Sequence, residues 1–388
     1  MRACGIIVEY NPFHNGHRYH IEQARIKTDA DVVVAVMSGN FLQRGEPAVI
    51  DKWHRAEAAL SNGADLVVEL PAAWAVQSAD LFATGAVAML QALQCQWLCF
   101  GTDAKTPFDY LDFAQFEARH QAEIDEAFQQ LDKNNATYGE RMNTVLSSLY
   151  PPYAANSKQP NHILGMRYAQ ALLRYQRPMA MVPIVRKAAA YHSKELQHAS
   201  IASATAIRKG LKDHSDIASF VPVQTYESLQ SAIVDWEAYW PFLKYQITIT
   251  PVAELANIYQ MVEGIEYRIK ACAQAAQTFS AFIGQLKTKR YSHVRLQRLL
   301  CYLLFKVTPT EMAAAETQPF IRVLGYTGVG QTYLKQVKGE LSMPLVAKFG
   351  KKEAARYAYS LKVDQIYQLA NHHISEQNFG RKPIFIGK

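Results

Sequence analysis

His14-Asn15-Gly16-His17 places two imidazoles three residues apart, directly after the apolar run Cys4-Gly5-Ile6-Ile7-Val8-Glu9-Tyr10 and before an amphipathic stretch. A strand that ends in a turn and opens a helix is a phosphate site. Unpaired backbone N–H groups and the positive end of the helix dipole face the same anion there. The two rings add donors at that spot, and Gly16 lets a large anionic ligand approach the backbone.

Other segments carry compatible chemistry. In Ile201-Ala202-Ser203-Ala204-Thr205-Ala206-Ile207-Arg208, the hydroxyls of Ser203 and Thr205 can cap a helix and bind phosphate oxygens that Arg208 neutralises. Phe100-Gly101-Thr102-Asp103 closes an apolar run, and Gly101 admits a flat base or ribose. Asn161 is placed to cap the following helix or read an adenine edge, and Arg186-Lys187 follow a strand on the phosphate side. The polar turn Ser38 to Pro47 offers Gln43, Arg44 and Glu46 to a second substrate or to a magnesium-bound pyrophosphate. His14, His17 and His20 lack the spacing and the acidic partner of a helical zinc site, so no metal ligands are assigned. Neither a phosphate-binding P-loop nor a Gly-x-Ser-x-Gly nucleophile turn occurs.

These residues need a frame. Apolar runs at Ile6–Val8, 31–37, 64–70 and 96–100 are hydrophobic throughout, as strands buried on both faces are. Helical patterns at about 16–28, 51–62 and 79–94 lie between them, with Asp51 as the N-cap of the second. The order implies a parallel sheet whose ligands bind at the carboxyl ends of the strands. A fifth strand is expected at 179–186, with Pro183 favouring an edge. Residues 216–250 read as an irregular, aromatic-rich junction, and residues 251–388 as mainly helical with a turn at Gly325, Gly328 and Gly330.

The chain of 388 residues is long enough for two domains, and 49% hydrophobic content with no bilayer-length apolar run describes a globular protein without a membrane segment. No signal peptide is apparent, and five scattered cysteines suit reduced thiols in a cytoplasm. The net charge of +7 is uneven: residues 251–388 carry about +10 and residues 1–250 about −3. A basic C-terminal third suggests a polyanionic partner such as a nucleic acid. Within it, Lys287, Lys289, Arg290, Arg295 and Arg298 offer phosphate contacts, Tyr291 and His293 could stack on an unpaired base, and Leu296, Leu299, Leu300 and Leu303 share the opposite helix face.

The His-x-Gly-His pattern resembles the signature of nucleotidylyl transferases and class I aminoacyl-tRNA synthetases, and residues 201–208 resemble the second transferase signature, with Ala202 where that pattern has serine. Together with the runs Gly5 to His17, Met37 to Pro47 and Thr288 to Tyr291, the chain resembles the bacterial tRNA(Met) cytidine acetate ligase family. The resemblance implies an α/β fold, with a Rossmann-like parallel sheet nucleotidylyl transferase domain at 1–215, the junction at 216–250 and a mainly α-helical tRNA-binding C-terminal domain at 251–388. It implies that ATP and acetate form acetyl-adenylate, and that the acetyl group passes to N4 of the wobble cytidine of elongator tRNA(Met). ATP, expected with Mg2+, would lie along Ile7, Val8, Glu9, Tyr10, Asn11, Pro12, Phe13, His14, Asn15, Gly16, His17 and His20, with Gly101, Asn161, Arg186 and Lys187 as further contacts. His14, His17, Ser203, Thr205 and Arg208 would carry the chemistry. A small-molecule adenylyltransferase and a non-catalytic RNA-binding protein with a nucleotide pocket remain alternatives, and the sequence leaves open whether the chain forms a homodimer.

Overall fold

The computed structural model describes every residue except 105, 132–137, 155–158, 186–200, 232, 289 and 388. Strands β1 (Ala3–Val8), β2 (Val32–Ser38), β3 (Leu66–Leu70), β4 (Trp97–Thr102) and β5 (Ala180–Val185) form where apolar runs were expected. β1 pairs in parallel with both β2 and β4, β2 with β3, and β4 with β5. Pro183 does lie in the edge strand β5.

Uninterrupted apolar runs are required because both faces of the sheet are covered. Val32, Val34 and Val36 pack on one side with Phe82, Ala86, Val87 and Leu90 of one helix (Ala79–Ala92). Val33, Ala35 and Met37 pack on the other with Ile21 and Ala24 of α1 (Asn15–Thr28) and with Ala56, Ala59 and Leu60 of α2 (Lys52–Ser61). Asp51 caps α2, accepting from the backbone of Trp53 and His54.

The C-terminal third differs from expectation in one respect. Ile321–Thr327, read as part of a helical region with a glycine turn, is strand β6, and it adds antiparallel to β3. β7 (Leu345–Val346) and β8 (Ile384–Ile386) extend the same sheet from β6. Residues 251–388 therefore complete the N-terminal sheet as well as building a helical layer. The irregular junction is also corrected: Trp236–Ile249 is a helix, and its buried Trp236, Tyr239, Trp240, Leu243 and Ile247 seed the helical core.

A buried ionic cluster joins the two parts. Fully buried Lys52 donates to both oxygens of Glu69 on β3 at 2.8 Å and to Asp364 at 2.5 Å. Arg322 of β6 lies 3.3 Å from Asp364 and 3.6 Å from Glu69. Asn40, in the loop after β2, donates to Asp364 and Gln377 and accepts from the Lys52 backbone. Removing one member strands the others without water, which costs about 3–5 kcal/mol. Lys52→Met is expected to lose stability on that scale in urea unfolding, and a loss below about 1 kcal/mol would show that the cluster does not hold the halves together.

Candidate active site

At the carboxyl end of β1 the chain turns and starts α1 with His14 as its N-cap. His14 Nδ1 accepts from the Gly16 backbone N–H at 3.0 Å, and His17 Nδ1 accepts from the His14 backbone N–H at 3.3 Å. The rings stack with centroids 3.7 Å apart. With Nδ1 of each ring accepting, the ring proton of each sits on Nε2, so both neutral imidazoles are Nε2–H donors. A Cβ on Gly16 would meet the His14 ring at 2.8 Å, so only glycine keeps that ring in the cap.

These rings line a cavity of about 420 Å³. The expected residues Ile7, Val8, Glu9, Tyr10, Asn11, His14, Gly16, His17, His20, Gly101, Asn161, Ser203, Thr205 and Arg208 all line it. Three expected ATP residues do not. Phe13 is fully buried against Tyr10 and His17, Asn15 donates to the Ser219 carbonyl at 2.9 Å, and Pro12 lies off the wall. Phe13 and Asn15 thus hold the turn in place. Arg186 and Lys187 lie outside the described residues.

Ser203 caps α3 (Ala204–Lys212), accepting from Ala206 N–H, and the segment Ile201–Thr205 forms one wall. Ala202 is buried in a small core with Val49, Ile50 and Ile207, which accounts for a residue without a hydroxyl there. Arg208 donates to the Asn11 carbonyl at 2.7 Å and lies 3.7 Å from Glu46. Two helix N-termini, from α1 and α3, thus meet one space, as an extended polyphosphate requires.

The β4 side is suited to a base. Asp103 accepts from the His162 backbone N–H at 3.0 Å and from Asn161 Nδ2 at 3.2 Å, so Asn161 is oriented by the turn after β4 and does not itself cap its helix (Pro160–Leu172). Beneath it Thr102, Tyr110 and His162 form a buried hydrogen-bonded chain. Burial pushes His162 down to about 4, which keeps it neutral, and Tyr110 up to about 12. Phe100, Ile163, Leu164 and Tyr168 supply apolar wall that spacing alone did not reveal.

On the β2 side, Gln43, Arg44 and Glu46 line the cavity from the polar loop. Buried Arg55 of α2 anchors that loop, donating to the carbonyls of Glu9, Ser38, Gly39 and Ile50. Glu9 Oε1 accepts from the Gln43 backbone at 2.8 Å and from Ser38 Oγ at 3.1 Å. Burial raises the Glu9 carboxyl above its ordinary value, partly offset by the Gln43 N–H.

The expected basic helix exists as α4 (His293–Leu304), with Leu296, Leu299, Leu300 and Leu303 buried. It touches the loop of the cavity: a Cβ on Gly45 would meet the Arg298 backbone nitrogen at 2.2 Å. Tyr291, expected to stack on a base, is instead buried, and its hydroxyl donates to Glu263 at 2.8 Å. Arg290 pairs with the same Glu263 at 2.8 Å, and Arg295 covers the Tyr291 ring at 4.8 Å. Arg298 is half-buried, Lys287 is exposed, and Lys289 lies outside the described residues. Among the described residues no helix is long and apolar enough to cross a membrane.

A profile of the HIGH nucleotidyl transferase family matches residues 1–382. A tRNA(Met) cytidine acetate ligase of Geobacillus sp. is 43% identical over 385 residues, covering 95% of this chain and 92% of the relative. One from Limosilactobacillus fermentum is 43% identical, with 99% of each chain covered. The crystal structure of apo Thermotoga maritima TmcAL superposes with a TM-score of 0.90 at 28% identity over the whole of both chains, and the form bound with alpha-thio ATP with a TM-score of 0.86. The chain belongs to the HIGH nucleotidyl transferase family, among the tRNA(Met) cytidine acetate ligases.

Proposed function

We propose that this chain activates acetate with ATP and acetylates N4 of the wobble cytidine of elongator tRNA(Met), yielding N4-acetylcytidine. The observation that carries the reading is a single cavity bordered by the His14–His17 pair, the capped start of α3 and a loop packed on the basic helix α4. ATP fits with its base on the Gly101–Asn161 side and its phosphates between the starts of α1 and α3.

An acetate oxygen attacks the α-phosphorus, the bond to the pyrophosphate oxygen breaks, and charge grows on the phosphoryl oxygens. The Nε2–H donors of His14 and His17 stabilise that charge, and Ser203, Thr205 and Arg208 hold the departing pyrophosphate. Among the described residues no three His, Cys, Asp or Glu side chains gather into a metal cage. Mg2+ carried on the triphosphate would supply charge neutralisation. The cytidine amine then attacks the activated carbonyl, and AMP leaves. The splayed base and its flanking phosphates suit the exposed Lys287 and Arg290 and the partly exposed Arg295. All five cysteines are free thiols, which suits a cytoplasmic protein.

ATP–pyrophosphate exchange tests the reading. Exchange that requires acetate supports it, exchange that requires a nucleotide-like acceptor would make the chain a small-molecule adenylyltransferase, and no exchange would leave an RNA-binding protein. His17→Asn is expected to slow acetate-dependent exchange by about 10²–10³-fold through loss of one donor, while tRNA affinity stays near the parent value. Lys287→Glu with Arg295→Glu is expected to weaken tRNA binding and to make its log–log salt dependence shallower by about 1 per lost phosphate contact. An unchanged salt slope would place the tRNA elsewhere.

A further inference from the structure

The acetyl-transfer step creates a demand that the residues assigned so far do not meet. When N4 of cytidine bonds to the acetyl carbon it becomes cationic and must release a proton before the carbon–oxygen bond to AMP breaks cleanly. The histidines donate from Nε2, and Ser203 is occupied as a helix cap. A proton acceptor has to come from another wall.

Glu9 has the right placement. It follows β1 directly and lines the cavity shared with both histidines. Among the described residues every hydrogen bond to its carboxylate ends on Oε1, from the Gln43 N–H and Ser38 Oγ. Those partners belong to β2 and its loop, so Glu9 lies across β1 from the Gly101–Asn161 side. Arg55 holds the Glu9 backbone carbonyl at 2.6 Å, which fixes where the side chain starts. A carboxylate on the wall of a polyphosphate cavity is unfavourable for ATP alone, but it is an apt partner for an N–H donor. Resting on the function proposed above, we infer that Glu9 is the general base of the transfer step, taking the N4 proton on Oε2 as the amine adds to the acetyl carbon. The proton passes to solvent after AMP departs, and the carboxylate is regenerated.

The electrostatics agree. Burial and the nearby Glu46 raise the Glu9 carboxyl, while its hydrogen bonds and Arg44 lower it. Arg55 and the Tyr168 hydroxyl are the other ionisable groups that sense its charge, and His14 and His17 share the cavity. A carboxylate moved up from its usual range is a stronger base near neutrality. Because the ionised form acts, transfer should rise with pH through the Glu9 pKa and then level off.

The test separates the two half-reactions. Glu9→Gln keeps the side-chain shape and an Oε1 acceptor for Gln43 and Ser38. Single-turnover acetyl transfer to tRNA is expected to fall by about 10²–10⁴-fold and to lose its acid limb, a loss larger than any in acetate-dependent exchange. Glu9→Asp, which keeps a titrating carboxylate, is expected to retain the limb at a lower plateau. A parental transfer rate and pH profile in Glu9→Gln would overturn the assignment. So would equal losses in both half-reactions with a raised Mg2+ requirement, which would make Glu9 a nucleotide or metal ligand. Absence of acetate-dependent exchange in the parent enzyme would instead sink the acetate reading, and the role of Glu9 with it.

Discussion

A guanidinium sealed from water sets the geometry of this site. Arg55 is fully buried, and its nitrogens donate to the carbonyls of Ile50, Glu9, Ser38 and Gly39. Glu9 and Gly39 lie just past the ends of β1 and β2, where the strand ladders stop and their carbonyls would otherwise be left unpaired in the interior. Burial lowers the Arg55 pKa, yet an arginine starts so high that it stays charged. A buried charge answered by dipoles is tolerable only while those dipoles keep their positions. The turn that carries His14 and the loop that carries Gln43 are therefore held side by side by a group that touches neither substrate.

The same loop is gripped from the C-terminal side. Phe41 is fully buried among Tyr239, Phe305 and Tyr367, Trp236 Nε1 donates to the Gly45 carbonyl at 3.0 Å, and Tyr367 donates to the Ala48 carbonyl at 2.8 Å. Gly45, with φ of +73°, lets the loop press onto the α4 backbone. A mononucleotide-binding sheet alone would leave this loop exposed and mobile. The helical layer makes it a packed wall, with one face toward the cavity and the other on the basic helix. The ionic cluster of Lys52, Glu69, Arg322 and Asp364 does the same job one layer deeper, through Asn40.

Local pattern carried much of this architecture. The first five strands, their helices, the Asp51 cap and the leucine face of α4 follow from apolar periodicity and capping chemistry, and the structure places them within a few residues of expectation. The His14–His17 pair was legible because its chemistry is compressed into four consecutive residues. β6 was not: Ile321–Thr327 is short, contains Arg322 and Gly325, and is a strand because β3, some 250 residues earlier, offers it an edge. The helix at Trp236–Ile249 had apolar spacing of three and four, but Pro241 and its dense aromatics obscured it. Lys52, Glu69, Arg322 and Asp364 each look like surface residues in isolation, and only the folded chain makes them a cluster. The buried state of Tyr291 depends likewise on Glu263, a partner no local spacing identifies.

The cavity also separates charge in a way that suits two successive reactions. Donors gather on the α1 and α3 walls: the two imidazoles, the Arg208 guanidinium and the backbone N–H groups of two helix starts. The β2 wall carries both carboxylates of the cavity's mouth loop and first strand end, Glu46 and Glu9, with Arg44 beside them. The first wall favours a transition state that accumulates negative charge on phosphoryl oxygens, and the second favours one in which an amine becomes cationic. Arg208 and Glu46, at 3.7 Å, mark where the walls meet.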